Sequence, residues 1–196
     1  MSDPLRVIAL VTAAGSAERF GGRKLLADIG GEPLLDRTIN SLLEGGASEV
    51  IVVVGKDARD ELERDVNAMS DARVRPVENH DPSRGMFSSI QEGVHTASGD
   101  VLLVLPGDMP YVRAETVRRV IDEWTKRRGI VSPRYNGKRG HPVALPVAFR
   151  DEILATPSSS NLHEVIKKHL DQRVDLDVDD PGISRDVDRP EDLAPA

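Results

Sequence analysis

Three stretches of this chain carry side chains whose type and spacing could do chemistry. The first, TAAGSAERFGGRK (residues 12–24), sets Arg19, Arg23 and Lys24 among Gly15, Gly21 and Gly22. Glycine lets a backbone approach a ligand closely and take positive φ, and clustered basic groups ask for an anion, a polyphosphate above all. The spacing is neither the G-x-G-x-x-G dinucleotide fingerprint nor a G-x-x-x-x-G-K-[ST] P-loop, because Leu25 follows Lys24. The second stretch, PGDMP (106–110), follows the most apolar run of the chain and puts Asp108 where a strand ends in a turn. A carboxylate there can hold Mg²⁺, which takes one or two protein carboxylates plus phosphates of a ligand; it can equally cap the turn. The third, SRDVDRPEDL (184–193), alternates Asp186 and Asp188 on an extended segment, which points both to one side. Either could complete a metal site with Asp108, or the segment could simply lead into a helix start at Pro190-Glu191-Asp192.

Two further stretches are softer. ENHDPSRGMFSSIQEG (78–93) runs from Asn79 through a loop to Ser88 and Ser89 at a helix start, where they could meet a base or ribose or act as ordinary caps. GKRGHP (137–142) presents Lys138, Arg139 and His141 in a glycine-flanked loop. Lys138 and Arg139 suit an anionic second substrate; His141 could shape its pocket or only pack the loop. His80, His95, His163 and His169 have no metal-ligand spacing, and Lys167-Lys168 reads as a solvated helix face.

These loops need a frame. RVIALV (6–11), EVIVVVG (49–55) and DVLLVLPGD (100–108) are continuous aliphatic runs, the pattern of buried parallel strands. RVRPVEN (73–79) is a weaker strand placed toward an edge by Pro76, and segments 129–137 and 173–180 are later strands. Between them, EPLLDRTINSLLEGG (32–46) starts with Pro33 and stops at Gly45-Gly46, with Leu34, Leu35, Ile39, Leu42 and Leu43 on one stripe. DARDELERDVNAM, SSIQEGVHTA, AETVRRVIDEWTKR, RDEILAT and NLHEVIKKHL fit the same helical period. The alternation predicts an α/β fold, a three-layer, doubly wound, mainly parallel Rossmann-like sheet, with residues 1–196 as a single domain. In such sheets ligands bind beyond the carboxyl ends of the strands, where the charged loops fall.

Composition narrows the chemistry. Of 196 residues, 39% are hydrophobic and 30% charged, ordinary for a soluble chain, while aromatics at 3% imply an aliphatic core. The absence of cysteine excludes disulfides, thiolate metal sites and a cysteine nucleophile, and agrees with a cytoplasmic setting. The first apolar run is too short for a signal peptide or a membrane span. A net charge of −7 argues against general nucleic-acid binding, so a small anion would need a local basic pocket.

Taken in order, the motifs resemble the cytidylyltransferases of the MobA-like nucleotidyltransferase superfamily, most closely the molybdenum cofactor cytidylyltransferases. The signature [LT]-A-A-G-x-S-x-R-[FM]-G-x-x-K is matched by Thr12, Ala13, Ala14, Gly15, Arg19, Phe20, Gly21 and Lys24, and GMFSSIQEG, PGDMP, GHP and DVDRPEDL follow in the family's order. Ala17 departs from the usual serine, and Arg189 stands where the family has threonine in D-T-P-E-D-L. The resemblance implies transfer of CMP from CTP to the phosphate of a molybdopterin-type acceptor, with release of pyrophosphate and possible delivery of the product to a molybdenum hydroxylase. It implies nucleotide contacts from Ala13, Ala14, Gly15, Lys24, Asn79, Ser88 and Ser89, binding on the acceptor side by His141, charge relief by Arg19 and Lys24, and Mg²⁺ on Asp108 and Asp188. Ala13-Ala14-Gly15 points to CTP, since GTP-using members carry Ala-Gly-Gly. Two other readings stand beside it: a nicotinamide-dependent oxidoreductase like those acting on nicotine-derived pigments, and a non-catalytic carrier of the cofactor. Cytidylyl transfer to another phosphorylated acceptor is a variant of the first.

Overall fold

The aliphatic runs form the centre of one sheet. The computed structural model describes residues 4–15 and 23–193. Strands β1 (Val7–Ala13), β2 (Glu49–Gly55), β3 (Val74–Asn79) and β4 (Val101–Pro106) lie parallel in the order β3-β2-β1-β4. Beyond β4 the sheet turns mixed. β7 (Val143–Pro146) pairs antiparallel with both β4 and β5 (Ile130–Tyr135), β6 (Lys138–Arg139) closes a hairpin with β5, and β8 (Arg173–Asp177) returns parallel to β5. The mainly parallel reading holds for the first four strands and for β8. The β7 strand was not anticipated, because four residues between prolines carry no periodic signal of their own.

Helices cover both faces, as the doubly wound pattern requires. α1 (Leu34–Gly45), α2 (Arg59–Asp65) and α4 (Ala114–Arg127) bury Leu35, Ile39, Leu42, Leu62, Val117, Val120 and Trp124 against one face, meeting Val11, Val52 and Leu103 of the sheet. α3 (Met86–Thr96), α5 (Arg150–Ala155) and α6 (Leu162–Lys167) bury Ile90, Val94, Ile153, Val165 and Ile166 against the other, meeting Leu10, Val53 and Leu102. α1 stops where Gly46 takes φ 109°, a left-handed value that glycine adopts without a Cβ penalty. Among the described residues no helix is long and apolar enough to cross a membrane.

Chain order decides where a site can form. The connections from β1 run to β2 and β3 on one side, then cross to β4 on the other. The carboxyl ends of β1 and β4 lie side by side, with Thr12 opposite Pro106, and the loops leaving them diverge. A crevice at such a switch point is where open α/β sheets bind ligands.

Candidate active site

The loop after β4 is forced close to β1. The Gly107 N–H donates to the Thr12 carbonyl at 3.0 Å, and a Cβ on Gly107 would stand 2.9 Å from that same oxygen. Only glycine passes there without pushing the strand ends apart. Its own carbonyl accepts from the buried Thr38 hydroxyl of α1 at 3.1 Å, so the turn is pinned from both sides and Asp108 is presented at the crevice.

The C-terminal segment reaches the same point through an apolar peg. Val187 is fully buried with Ile29 and Leu34, and its N–H donates to the Asp108 carbonyl at 2.9 Å. Asp186 and Asp188 thus flank Asp108, each exposed and each at the edge of a different hollow. Asp192 finishes the arrangement: its Oδ2 accepts from the N–H groups of Asp188 and Arg189 at 3.0 and 2.8 Å. Those bonds hold its carboxyl below the usual range. Arg185 lies 4.0 Å over the Tyr111 ring, and both side chains donate to the Asp192 carbonyl.

Lys24 joins the two carboxylates. Its Nζ donates to Asp108 Oδ2 at 2.8 Å and to Asp188 Oδ1 at 3.0 Å. Burial opposes its charge, but the bonds to both carboxylates outweigh burial and hold its pKa above the ordinary lysine value. Asp108 and Asp188, 84 and 164 positions beyond Lys24, thereby share its one cation. Two carboxylate oxygens within 3.0 Å of one ammonium sit within the reach of a single divalent ion. Among the described residues no group of three or more histidine, aspartate or glutamate side chains is placed to hold a metal unaided. A carboxylate pair that leaves remaining positions to phosphates and water suits Mg²⁺ and not a structural zinc.

A hollow of about 400 Å³ opens around this centre, lined by Thr12, Ala13 and Gly15 of the β1 end, by Lys24, and by Ala58, Glu61 and Leu62 of the α2 region. Ala13 and Ala14 are buried and Gly15 is exposed. Arg23 sits at the edge and pairs with Glu61 and Asp65 of α2. Arg19 lies outside the described residues.

A second hollow, about 610 Å³, meets the first at Asp108 and is also lined by Asp186 and His141. The Gly140-His141 segment is held against the C-terminal part of the chain by the His141 N–H, which donates to the Ile183 carbonyl at 2.8 Å; a Cβ on Gly140 would collide with that carbonyl. His141 Nδ1 lies 3.2 Å from the Val104 carbonyl, which can only accept, so Nδ1 carries the proton. Burial pushes the His141 pKa below its ordinary value, against the pull of that carbonyl and of the charges on Asp108 and Asp186. A neutral imidazole therefore lines the second hollow and not the first.

Asn79, Ser88 and Ser89 line neither hollow. All are buried, and the Asn79 amide donates to the Ser88 and Ser89 hydroxyls at 2.8 and 3.0 Å. Asn79 Oδ1 accepts from the Asp81 N–H at 3.0 Å, and the Ser88 hydroxyl donates to the Gly85 carbonyl at 2.7 Å. Their polar groups are engaged with one another and brace the loop that enters α3. Tyr111, Arg185 and Val187 were not singled out by motif, and Asp192 only as part of a helix start; the apolar residue between two aspartates was the available signal for Val187.

The sequence and the fold both have counterparts among known proteins. The MobA-like NTP transferase domain matches residues 9–174. Over 95% of this chain and 93% of its own length, a molybdenum cofactor cytidylyltransferase of Escherichia coli is 24% identical. A nicotine blue oxidoreductase of Paenarthrobacter nicotinovorans is 31% identical over 95% of this chain and 94% of its own. The crystal structure of Rv0371c from Mycobacterium tuberculosis superposes with a TM-score of 0.80 at 22% identity, covering 95% of each chain. Its complex with manganese superposes at 0.71 and 21% identity, again over 95% of each. The chain belongs to the nucleotidyltransferase family built on the MobA-like NTP transferase domain.

Proposed function

We propose that this nucleotidyltransferase moves CMP from CTP onto the terminal phosphate of a molybdopterin-type acceptor. A phosphate oxygen of the acceptor attacks the α-phosphorus, the bond to the bridging oxygen breaks, and its electron pair leaves with pyrophosphate. No covalent intermediate on the protein is required. The observation that carries the reading is the meeting of Lys24, Asp108 and Asp188 at the sheet's switch point, where Asp108 lines two hollows of substrate size.

In this reading the first hollow takes the nucleotide. Ala13 and Gly15, on either side of the buried Ala14, line it, and Lys24, with Arg19 from the same loop, relieves charge on the departing pyrophosphate. Asp108 and Asp188 would hold Mg²⁺, which as a Lewis acid stabilises charge on the phosphates. The second hollow takes the acceptor, and Asp108, at the junction, brings the two substrates into line. Alignment and preorganised charge then account for the rate. Asn79, Ser88 and Ser89 act on the nucleotide through the loop they brace. His141, neutral and fixed by Val104, shapes the acceptor side. The setting is the cytoplasm, and a molybdenum hydroxylase would receive the product.

The 31% identity to a nicotine blue oxidoreductase favours a second reading, hydride transfer from a nicotinamide cofactor. Hydride transfer has no use for a lysine-linked carboxylate pair. Incubation with each nucleoside triphosphate, Mg²⁺ and molybdopterin, monitored for pyrophosphate, separates the two. CTP-dependent pyrophosphate release supports the transferase. NADH or NADPH oxidation in a redox-dye assay, without pyrophosphate release, overturns it.

A further inference from the structure

The second hollow has two unlike ends. At one stand Asp108 and Asp186; further along its wall stand Arg139 and Arg173, with Met86, Leu162 and Ile166 as apolar surface. The cationic end is built by β5, β6 and β8. Register places Ser132 opposite Asp175 and Arg134 opposite both Asp177 and Arg139. Asp175 accepts from Arg139 through both oxygens at 2.7 Å, and Asp177 takes Arg134 at 2.7 and 3.0 Å. Three guanidinium groups thus face two carboxylates, a local positive excess in a chain of net charge −7.

Arg173 holds that excess. Its side chain is only 10% exposed, yet its hydrogen bonding is incomplete: Nη2 donates to the buried Ser132 hydroxyl at 3.2 Å, while the buried Nε has no hydrogen-bond partner. The nearest carboxylate oxygen, Asp175 Oδ1, stands 3.5 Å away and is taken by Arg139. Burial and the neighbouring Arg139 charge lower the Arg173 pKa, but an arginine remains charged at any physiological pH. Nε itself is shut away from the cavity, but Arg173 lines it, and a largely buried cation whose nearest carboxylate is shared with Arg139 gains from an acceptor that reaches the guanidinium there.

We infer that Arg173, kept from full pairing by the Arg139–Asp175 bridge, is an oxyanion-binding residue that selects acceptors carrying a second anionic group away from the phosphate that reacts. This rests on the second hollow being the acceptor's side. Such an acceptor spans the cavity with its reactive phosphate at the Asp108 end, its apolar body against Met86 and Leu162, and its second oxyanion at the guanidinium. An acceptor with a phosphate alone meets the same chemistry at Asp108 but leaves Arg173 unsatisfied. Arg139 is a positioning residue: it occupies Asp175 and so keeps that carboxylate off Arg173.

Tungstate, a tetrahedral dianion located by its anomalous scattering, is the probe. Calorimetry with the full chain, the first hollow filled by a non-hydrolysable CTP analogue, should give saturable millimolar binding, with a tungstate peak at Arg173 in crystals. Arg173→Met should weaken it at least about tenfold, the ordinary effect of losing a charged hydrogen bond, and Arg173→Lys should restore part of it. Arg139→Ala, at an exposed position tolerant of change, should also weaken tungstate, because Asp175 is released to pair with Arg173. In turnover, Arg173→Met should raise the acceptor KM and leave the CTP KM alone. Absence of saturable tungstate binding, or equal affinity in folded wild type and Arg173→Met, overturns the inference. CTP-analogue binding, measured separately, reports on the nucleotide reading whatever tungstate does.

Discussion

Replacing Lys24 by methionine keeps the aliphatic stem and removes the ammonium that joins Asp108 to Asp188. The lost bond to Asp108 is the sheltered one, with side chains 12% and 28% exposed; the partner in the second bond, Asp188, is 53% exposed. A charged hydrogen bond contributes about 1.5–3 kcal/mol, and a largely exposed pair about 0–1 kcal/mol. The two carboxylates are also left facing one another. A net loss of about 2 kcal/mol follows, which in a chain of this length lowers Tm by about 5 °C. The Lys24 pKa lies above its ordinary 10.5, so this contribution is complete below that pH and fades only as pH rises through the folded value. The difference between wild type and variant should therefore be constant across neutral pH and close in strong alkali. Mg²⁺ bound by the two carboxylates would supply the missing counter-charge, and ligand linkage would make its effect depend on concentration. MgCl₂ should raise Tm more in Lys24→Met than in wild type. Calorimetric unfolding at low ionic strength, with and without MgCl₂, measures both quantities. Equal Tm values without magnesium and equal magnesium shifts in the two proteins would refute the assignment of Asp108 and Asp188 as a cation-ready pair.

Three other outcomes are expected. Asn79→Ala leaves the buried Ser88 and Ser89 hydroxyls and the Asp81 N–H without their partner, and should cost about 2–3 kcal/mol in urea unfolding. Gly107→Ala puts a Cβ 2.9 Å from the Thr12 carbonyl, so it should cost about 1–3 kcal/mol and lower kcat by displacing Asp108; unchanged stability and kcat would show that the turn yields freely. His141→Asn tests the neutral imidazole. The folded pKa is depressed, so below about 6.5 the unfolded chain binds the proton first and wild type loses stability as pH falls. The variant should show a shallower acid-side decline in Tm, with no altered slope above neutrality.

The central strands were legible because β1, β2 and β4 are unbroken aliphatic runs that only a two-sided burial explains. β7 was hidden: Val143–Pro146 owes its extended form to pairing with β4 and β5, a property of the tertiary neighbours. Lys24, Asp108 and Asp188 each stood out in their own loops. Their convergence was expected from the resemblance and not from spacing, since strand order carries β4 back to β1. Ser88 and Ser89 were recognisable as a helix start, but a serine there reads alike whether it faces a ligand or the core. Arg173 looked like an ordinary strand residue. Its half-made hydrogen bonding depends on Arg139, which arrives from a different strand to take Asp175.

The central claim is that phosphate transfer takes place at Asp108, where the two hollows meet. Pyrophosphate release from CTP with Mg²⁺ and a molybdopterin acceptor, compared between wild type and Asp108→Ala, tests it most directly. Circular dichroism and Tm establish first that the variant is folded. Loss of a group that orders phosphate charge costs several kcal/mol of transition-state stabilisation, so the variant should be slower by about a thousandfold or more. A folded Asp108→Ala protein that releases pyrophosphate at a rate near wild type contradicts the account.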